Sequence, residues 1–141
     1  ASIGQTIRTP DSTYEITASE LRGEDFDFGE SGELIELSTT SPWVGLNTDN
    51  YSKYIRYGQR DKKIALLESI WKGNVLSLAK GLGIDVDWRI MAKIVEFHER
   101  RLTIKGTPVL GLAAKIVTNT VIPSWLGIGK HASLGFGRWC D

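Results

Sequence analysis

The chain has 141 residues, 41% of them hydrophobic, with 17 basic and 17 acidic side chains in balance. That length suits one ordinary domain with a true core, and no apolar run approaches the roughly 18 residues of a membrane-spanning helix. The lone Cys140 excludes a disulfide framework and nothing resembles a secretory leader, so a cytoplasmic protein with no membrane partner is expected.

The neutral total conceals a division. Residues 1–50 hold two basic residues, Arg8 and Arg22, against ten acidic ones, which leaves fifteen basic against seven acidic beyond residue 50. An excess of this sign over two-thirds of a chain is the electrostatic footprint of a polyanion partner. The acidic first part is expected to lie away from any nucleic acid.

Taken in order, residues 3–9 are short and polar and residues 13–21 lean towards β structure, before Gly29-Glu30-Ser31-Gly32 signals a turn. Residues 33–40 follow as a strand that Ser41-Pro42-Trp43 closes. Asn47 or Thr48 is placed to cap a short helix through Tyr57, with Asp49 in its first turn. On that helix Lys53 and Arg56 continue to Arg60 as a basic stripe beside Tyr51, Tyr54 and Tyr57, a pairing that tracks phosphates and stacks bases, or simply packs rings on a core.

Asp61 opens the strongest helix, which runs to about Lys80 and ends at Gly81 and Gly83; Ile64, Leu67, Ile70, Trp71, Val75 and Leu78 line one face at spacings of three and four. Gly73 interrupts it. From Val86 to Glu99 the period becomes two, with Val86, Trp88, Ile90, Ala92 and Ile94 on one face. Residues 109–121 form a partner strand. The two strands predict a hairpin whose tip carries Arg100, Arg101 and Lys105, and a final strand is expected over residues 133–139. This is the βαββ(α)β order of an α+β, ferredoxin-like domain related to RNA-recognition modules, with the second helix replaced by Pro123-Ser124-Trp125-Leu126. The aromatic signature of an RNA-recognition sheet face is missing.

The loop before that last strand is the densest motif. Gly127-Ile128-Gly129 and Gly135-Phe136-Gly137 are two Gly-hydrophobic-Gly pairs separated by five residues that include Lys130, His131 and Ser133. Glycine brings backbone N–H groups close to a ligand, so the loop reads as a cradle for an anion such as phosphate. A dinucleotide fingerprint needs a helix after the glycines and only four residues follow Gly137; a Walker loop needs Ser or Thr where His131 stands.

The loop matches in full the glycine-rich motif of the CRISPR-associated endoribonucleases that process repeat RNA, members of the RAMP superfamily. Pro42-Trp43-Val44-Gly45-Leu46-Asn47 with Asn50-Tyr51, the helix stretch Gly73-Asn74-Val75-Leu76-Ser77-Leu78-Ala79-Lys80-Gly81 and the strand Lys115-Ile116-Val117-Thr118-Asn119 also resemble the C-terminal half of one subgroup. The resemblance implies a ferredoxin-like RNA-binding domain over residues 33–141, with residues 1–32 as an N-terminal β extension or the remnant of a preceding domain. It further implies CRISPR repeat RNA as ligand, and a separate N-terminal domain, a homodimer mate or other CRISPR proteins as partners.

Such enzymes cut without a metal or other cofactor: the upstream 2′-hydroxyl attacks the scissile phosphate, leaving a cyclic phosphate and a 5′-hydroxyl. Their catalytic histidine usually sits in the first of two tandem domains, whereas this chain resembles the second. The catalytic residues are therefore unassigned, with His131 the candidate. Gly127, Gly129, Lys130, His131, Ser133, Gly135, Gly137, Lys53, Arg56, Arg100, Arg101 and Lys105 form the expected RNA-binding set. Two other readings stand beside it: a non-catalytic RAMP-type subunit holding guide RNA, and a ferredoxin-like small-molecule or oligomerisation module.

Overall fold

A computed structural model describes residues 28–141. The short polar stretch at residues 3–9 and the β-leaning one at 13–21 lie outside the described residues. The elements are β1 (Gly29–Thr39), α1 (Thr48–Arg56), α2 (Arg60–Leu82), β2 (Ala92–Ile104), β3 (Thr107–Val121), a 3-10 turn at Ala132–Leu134 and β4 (Trp139–Cys140). The strands pair antiparallel in the order β2-β3-β1-β4, which is the ferredoxin-like arrangement, and the class is α+β.

Local chemistry explains both helices. Asn47 caps α1 by accepting the Asn50 N–H at 2.8 Å, satisfying a donor that the first turn leaves without a partner. In α2 the buried residues Leu67, Trp71, Val75 and Ala79 recur every four residues, and Gly83 ends the helix in the left-handed conformation, its N–H on the Ala79 and Lys80 carbonyls.

The apolar face of α2 lies on one side of the sheet, against Leu37, Ile94, Leu112, Ile116 and Trp139. At its centre Trp43 and Trp71 both meet Trp139 edge-on, with ring centroids 5.8 and 6.0 Å away. Each such pair adds about 0.5–1.5 kcal/mol beyond the burial of its area. Three of the chain's five tryptophans thus bind α2, β4 and the segment after β1 into one core.

Three expectations are corrected. The glycines at 29–32 do not reverse the chain; they lie within β1, where the register against β3 shifts between Glu30 and Ile35, so the extra residues bulge. The strand expected from Val86 begins only at Ala92. Residues 88–91 keep the alternation of burial, but side chains of β3 take the place of a ladder: Thr120 accepts from Trp88 Nε1 (3.0 Å), Asn119 bonds the Met91 N–H (2.9 Å) and the Arg89 carbonyl (2.9 Å), and Thr118 donates to the Met91 carbonyl (2.6 Å). The last strand is two residues long, because the chain at 132–134 closes a 3-10 turn instead.

Candidate nucleic-acid interface

The glycine loop is fastened to the segment that follows β1. Gly137 donates its N–H to the Pro42 carbonyl (2.7 Å), Lys130 to Val44 (2.8 Å) and Ile128 to Gly137 across the loop (2.9 Å). Segment 42–44 is itself tied to β3, since Trp43 and Leu112 exchange both backbone hydrogen bonds at 2.9 Å. A Cβ at Gly127 would strike the Phe136 carbonyl and one at Gly137 the Ile128 carbonyl, so the two glycine pairs touch backbone to backbone. Ile128, between two glycines, is buried in the core.

This geometry commits much of the loop's backbone to the fold. The N–H groups of Ile128, Lys130, Leu134, Gly135, Phe136 and Gly137 all donate within the protein. The glycines permit close packing, and the Lys130 side chain stands exposed on the rim.

Two grooves meet at Lys130. One, of about 570 Å³, runs between the loop, the start of α1 and the flank of α2, where Asn50, Asn74 and Ser77 line it. The other, of about 640 Å³, lies between α1, the loop and the β2–β3 hairpin, and brings Lys130 and His131 together with Tyr51 and Arg101. His131 adopts positive φ (63°) and its carbonyl accepts the Leu134 N–H at 3.0 Å, so its backbone role is to turn the loop.

The hairpin differs from its expected form. Arg100 and Arg101 are strand residues facing Gly111 and Leu110, and the turn itself is Lys105-Gly106, both at positive φ (51° and 79°), as a two-residue hairpin of the primed type requires. Only Lys105 of the three cations is at the tip. Arg100 lines a third recess with Arg60 and Lys63; there the Arg60 guanidinium lies 4.2 Å from the Phe97 ring centre and the Lys63 ammonium 4.6 Å from that of Tyr54.

Tyr54 is the tyrosine that packs on the core, and its hydroxyl donates to Glu99 at 2.6 Å. Burial, and then that carboxylate, push its ionisation well above the usual tyrosine range. Tyr51 stays exposed in the second groove.

Lys53 and Arg56 are exposed in the last turn of α1 and line none of the three cavities; Ser133 sits exposed in the 3-10 turn, and Gly135 ends that turn at φ 95°. His98 pairs with Glu96 on its own strand at 3.7 Å and lines the third recess, away from the groove of His131. Among the described residues no group of three or more His, Cys, Asp or Glu side chains is arranged to hold a metal ion. Asn74, which lines the first groove, is not in the RNA-binding set expected from sequence. Its signal was available, a polar residue beside the mid-helix Gly73.

Residues 29–139 match the family described as the Cas6b C-terminal domain. The chain belongs to this family. The Cas6b C-terminal match runs from the start of β1 into β4. An uncharacterized protein of Methanocaldococcus jannaschii is 36% identical over 111 residues, which is 79% of this chain and 75% of the relative. Two crystal structures, one described as Cas6b and one as the CRISPR RNA processing endoribonuclease Cas6b, are each 28% identical, with a TM-score of 0.75 over 79% of this chain. The chain spans 57% and 56% of those two solved chains. Csf5, a type IV CRISPR-Cas Cas6 crRNA endonuclease, shares the fold at 12% identity, with a TM-score of 0.57 over 82% of this chain and 46% of that one. Among the described residues no helix is long and apolar enough to cross a membrane.

Proposed function

We propose that the chain is the RNA-binding half of a CRISPR precursor-RNA endoribonuclease and holds repeat RNA along the groove between α1, the hairpin and the glycine loop. The observation that carries this reading is the convergence of Lys130, His131, Arg101 and exposed Tyr51 on that groove. Two cations there can pair with successive phosphates, and a tyrosine ring can stack on a base. The fastening of the loop to segment 42–44 holds Lys130 in a set place on the rim.

In this reading the reaction is attack of the ribose 2′-hydroxyl on the adjacent phosphate, which expels the 5′-oxygen and needs a base, an acid and a cation for the developing charge. Lys130 supplies charge, while the base and acid come from a second domain or a partner subunit, without a metal. His131 is the residue of this chain that could share in proton transfer.

Binding of repeat RNA is expected to weaken as salt rises, because paired phosphates release counterions; Lys130→Ala and Arg101→Ala should each lower the slope of log affinity against log salt by about 1. Affinity independent of salt, or unchanged in both variants, would remove the groove from the interface. Cleavage by this chain alone in EDTA that His131→Ala abolishes would instead locate the catalytic histidine here.

A further inference from the structure

Resting on the reading that Lys130 holds an RNA phosphate, we infer that the adjoining groove between the glycine loop and α2 takes one unstacked nucleobase of that RNA and reads its edge. The groove is of ample size at about 570 Å³, and Lys130 stands on its rim. Among the described residues Lys130 is the one cation lining it, which suits a neutral heterocycle next to a phosphate better than a second phosphate.

Asn74 is oriented by one bond and keeps free donors. Asn74 accepts the Trp43 indole N–H at 2.9 Å. An indole nitrogen only donates, so the Asn74 carbonyl must face Trp43 and its two amide hydrogens are left for a ligand. The loop pins this arrangement from above, since a Cβ on Gly129 would stand 3.0 Å from Trp43 Nε1 and 3.1 Å from Asn74 Oδ1. Asn50 and Ser77 bring further donors and acceptors, and Ile70 an apolar wall. Asparagine amides paired with acceptors on base edges are a recurrent means of nucleotide reading, and single-stranded RNA presents such edges once a base leaves its stack.

Gly73 supplies an independent observation. It stands in the middle of the 23-residue α2, where glycine is among the worst helix formers, yet an added Cβ there would meet nothing within 4 Å. Packing gives no reason for it. Access to the groove does.

The test uses the 141-residue chain and fluorescent repeat RNA in which one nucleotide at a time is replaced by an abasic ribose. One position should lose affinity about tenfold with the wild-type protein. Gly73→Leu, which adds a bulky side chain to the groove's wall, should bind intact RNA about tenfold more weakly and lose nothing further on that one abasic RNA. Its melting temperature should not fall, because leucine is a strong helix former. Asn74→Asp keeps the acceptor for Trp43 while removing the amide donors, and should show the same pattern. Binding of intact RNA by both variants within about twofold of wild type, beside a weakened Lys130→Ala, would overturn the inference and leave the reading of the loop standing. A uniform loss across every abasic RNA would overturn it too. An unaffected Lys130→Ala would bring down the reading on which it rests.

Discussion

The glycine loop and the β2–β3 hairpin both turn the chain through positive φ, and both present a lysine, but their glycines do different work. At the hairpin Gly106 (φ 79°) has nothing within 4 Å of an added Cβ, so only backbone conformation selects glycine. In the loop Gly137 (φ 75°) is also walled in by the Ile128 backbone. The hairpin is a tip that tolerates change, whereas the loop is part of the packed core and carries Lys130 as a fixed feature of it. A glycine motif can therefore mark a rigid platform rather than a supple one.

The most direct way to break this comparison is to add one methyl group to each. Gly137→Ala forces a Cβ onto a carbonyl in addition to the left-handed strain, and should cost more than about 4 kcal/mol, a range reached by few mechanisms. Urea denaturation should show a collapse of the midpoint or an unfolded chain at zero denaturant. Gly106→Ala meets the conformational term alone, about 1–2 kcal/mol, with a modest midpoint shift and unchanged RNA affinity. Equal losses at the two sites would show that both glycines answer to backbone conformation only.

The same contrast marks how far the sequence could be read. Asn47 as a cap, the apolar stripe of α2 and its stop near Gly83 are legible because each depends on residues within a turn or two. Residues 88–91 look like a strand for a sound reason, their alternating burial, yet their hydrogen bonds go to Thr118, Asn119 and Thr120 from a distant strand. The motif at 127–137 was visible as spacing, and its resemblance led to the family. What spacing does not reveal is that two of its backbone donors are taken by the carbonyls of Pro42 and Val44, more than 80 residues earlier in the chain. Asn74 was overlooked because its importance comes from Trp43, a contact between α2 and the segment after β1.

The hairpin is held midway along β2 by Tyr54, whose hydrogen bond to Glu99 joins α1 to β2. Tyr54→Phe removes that bond and leaves an exposed carboxylate to water, so a loss of about 1 kcal/mol is expected near neutral pH. The tyrosine's ionisation is raised in the folded state above its ordinary value of 10.0, so its contribution is complete below that pH and fades as pH climbs beyond it. Urea midpoints of the two proteins should therefore stay apart up to about pH 10 and converge above it. A gap that widens with pH would show that burial and Glu99 do not hold Tyr54 in its protonated form in solution. RNA affinity should change less in this variant than in Arg101→Ala, because Tyr54 serves the frame of the groove and not its surface.

The smallest expected effect on stability comes with the sharpest contrast in function. Lys105 occupies the first position of the hairpin turn at φ 51°, where asparagine and glycine are favoured and lysine is mildly strained. Lys105→Asn should stabilise the hairpin by less than about 1 kcal/mol, since it relieves a single backbone strain on an exposed turn. If the lysine is kept there to meet phosphate, the same change should weaken repeat-RNA binding and lower the salt slope by about 1. A variant that is more stable and binds RNA equally well would confine the interface to the groove beside the loop. Opposite shifts in the two measurements would extend it to the tip, and would show that the hairpin, tolerant of change in its fold, is selective in the charge it carries.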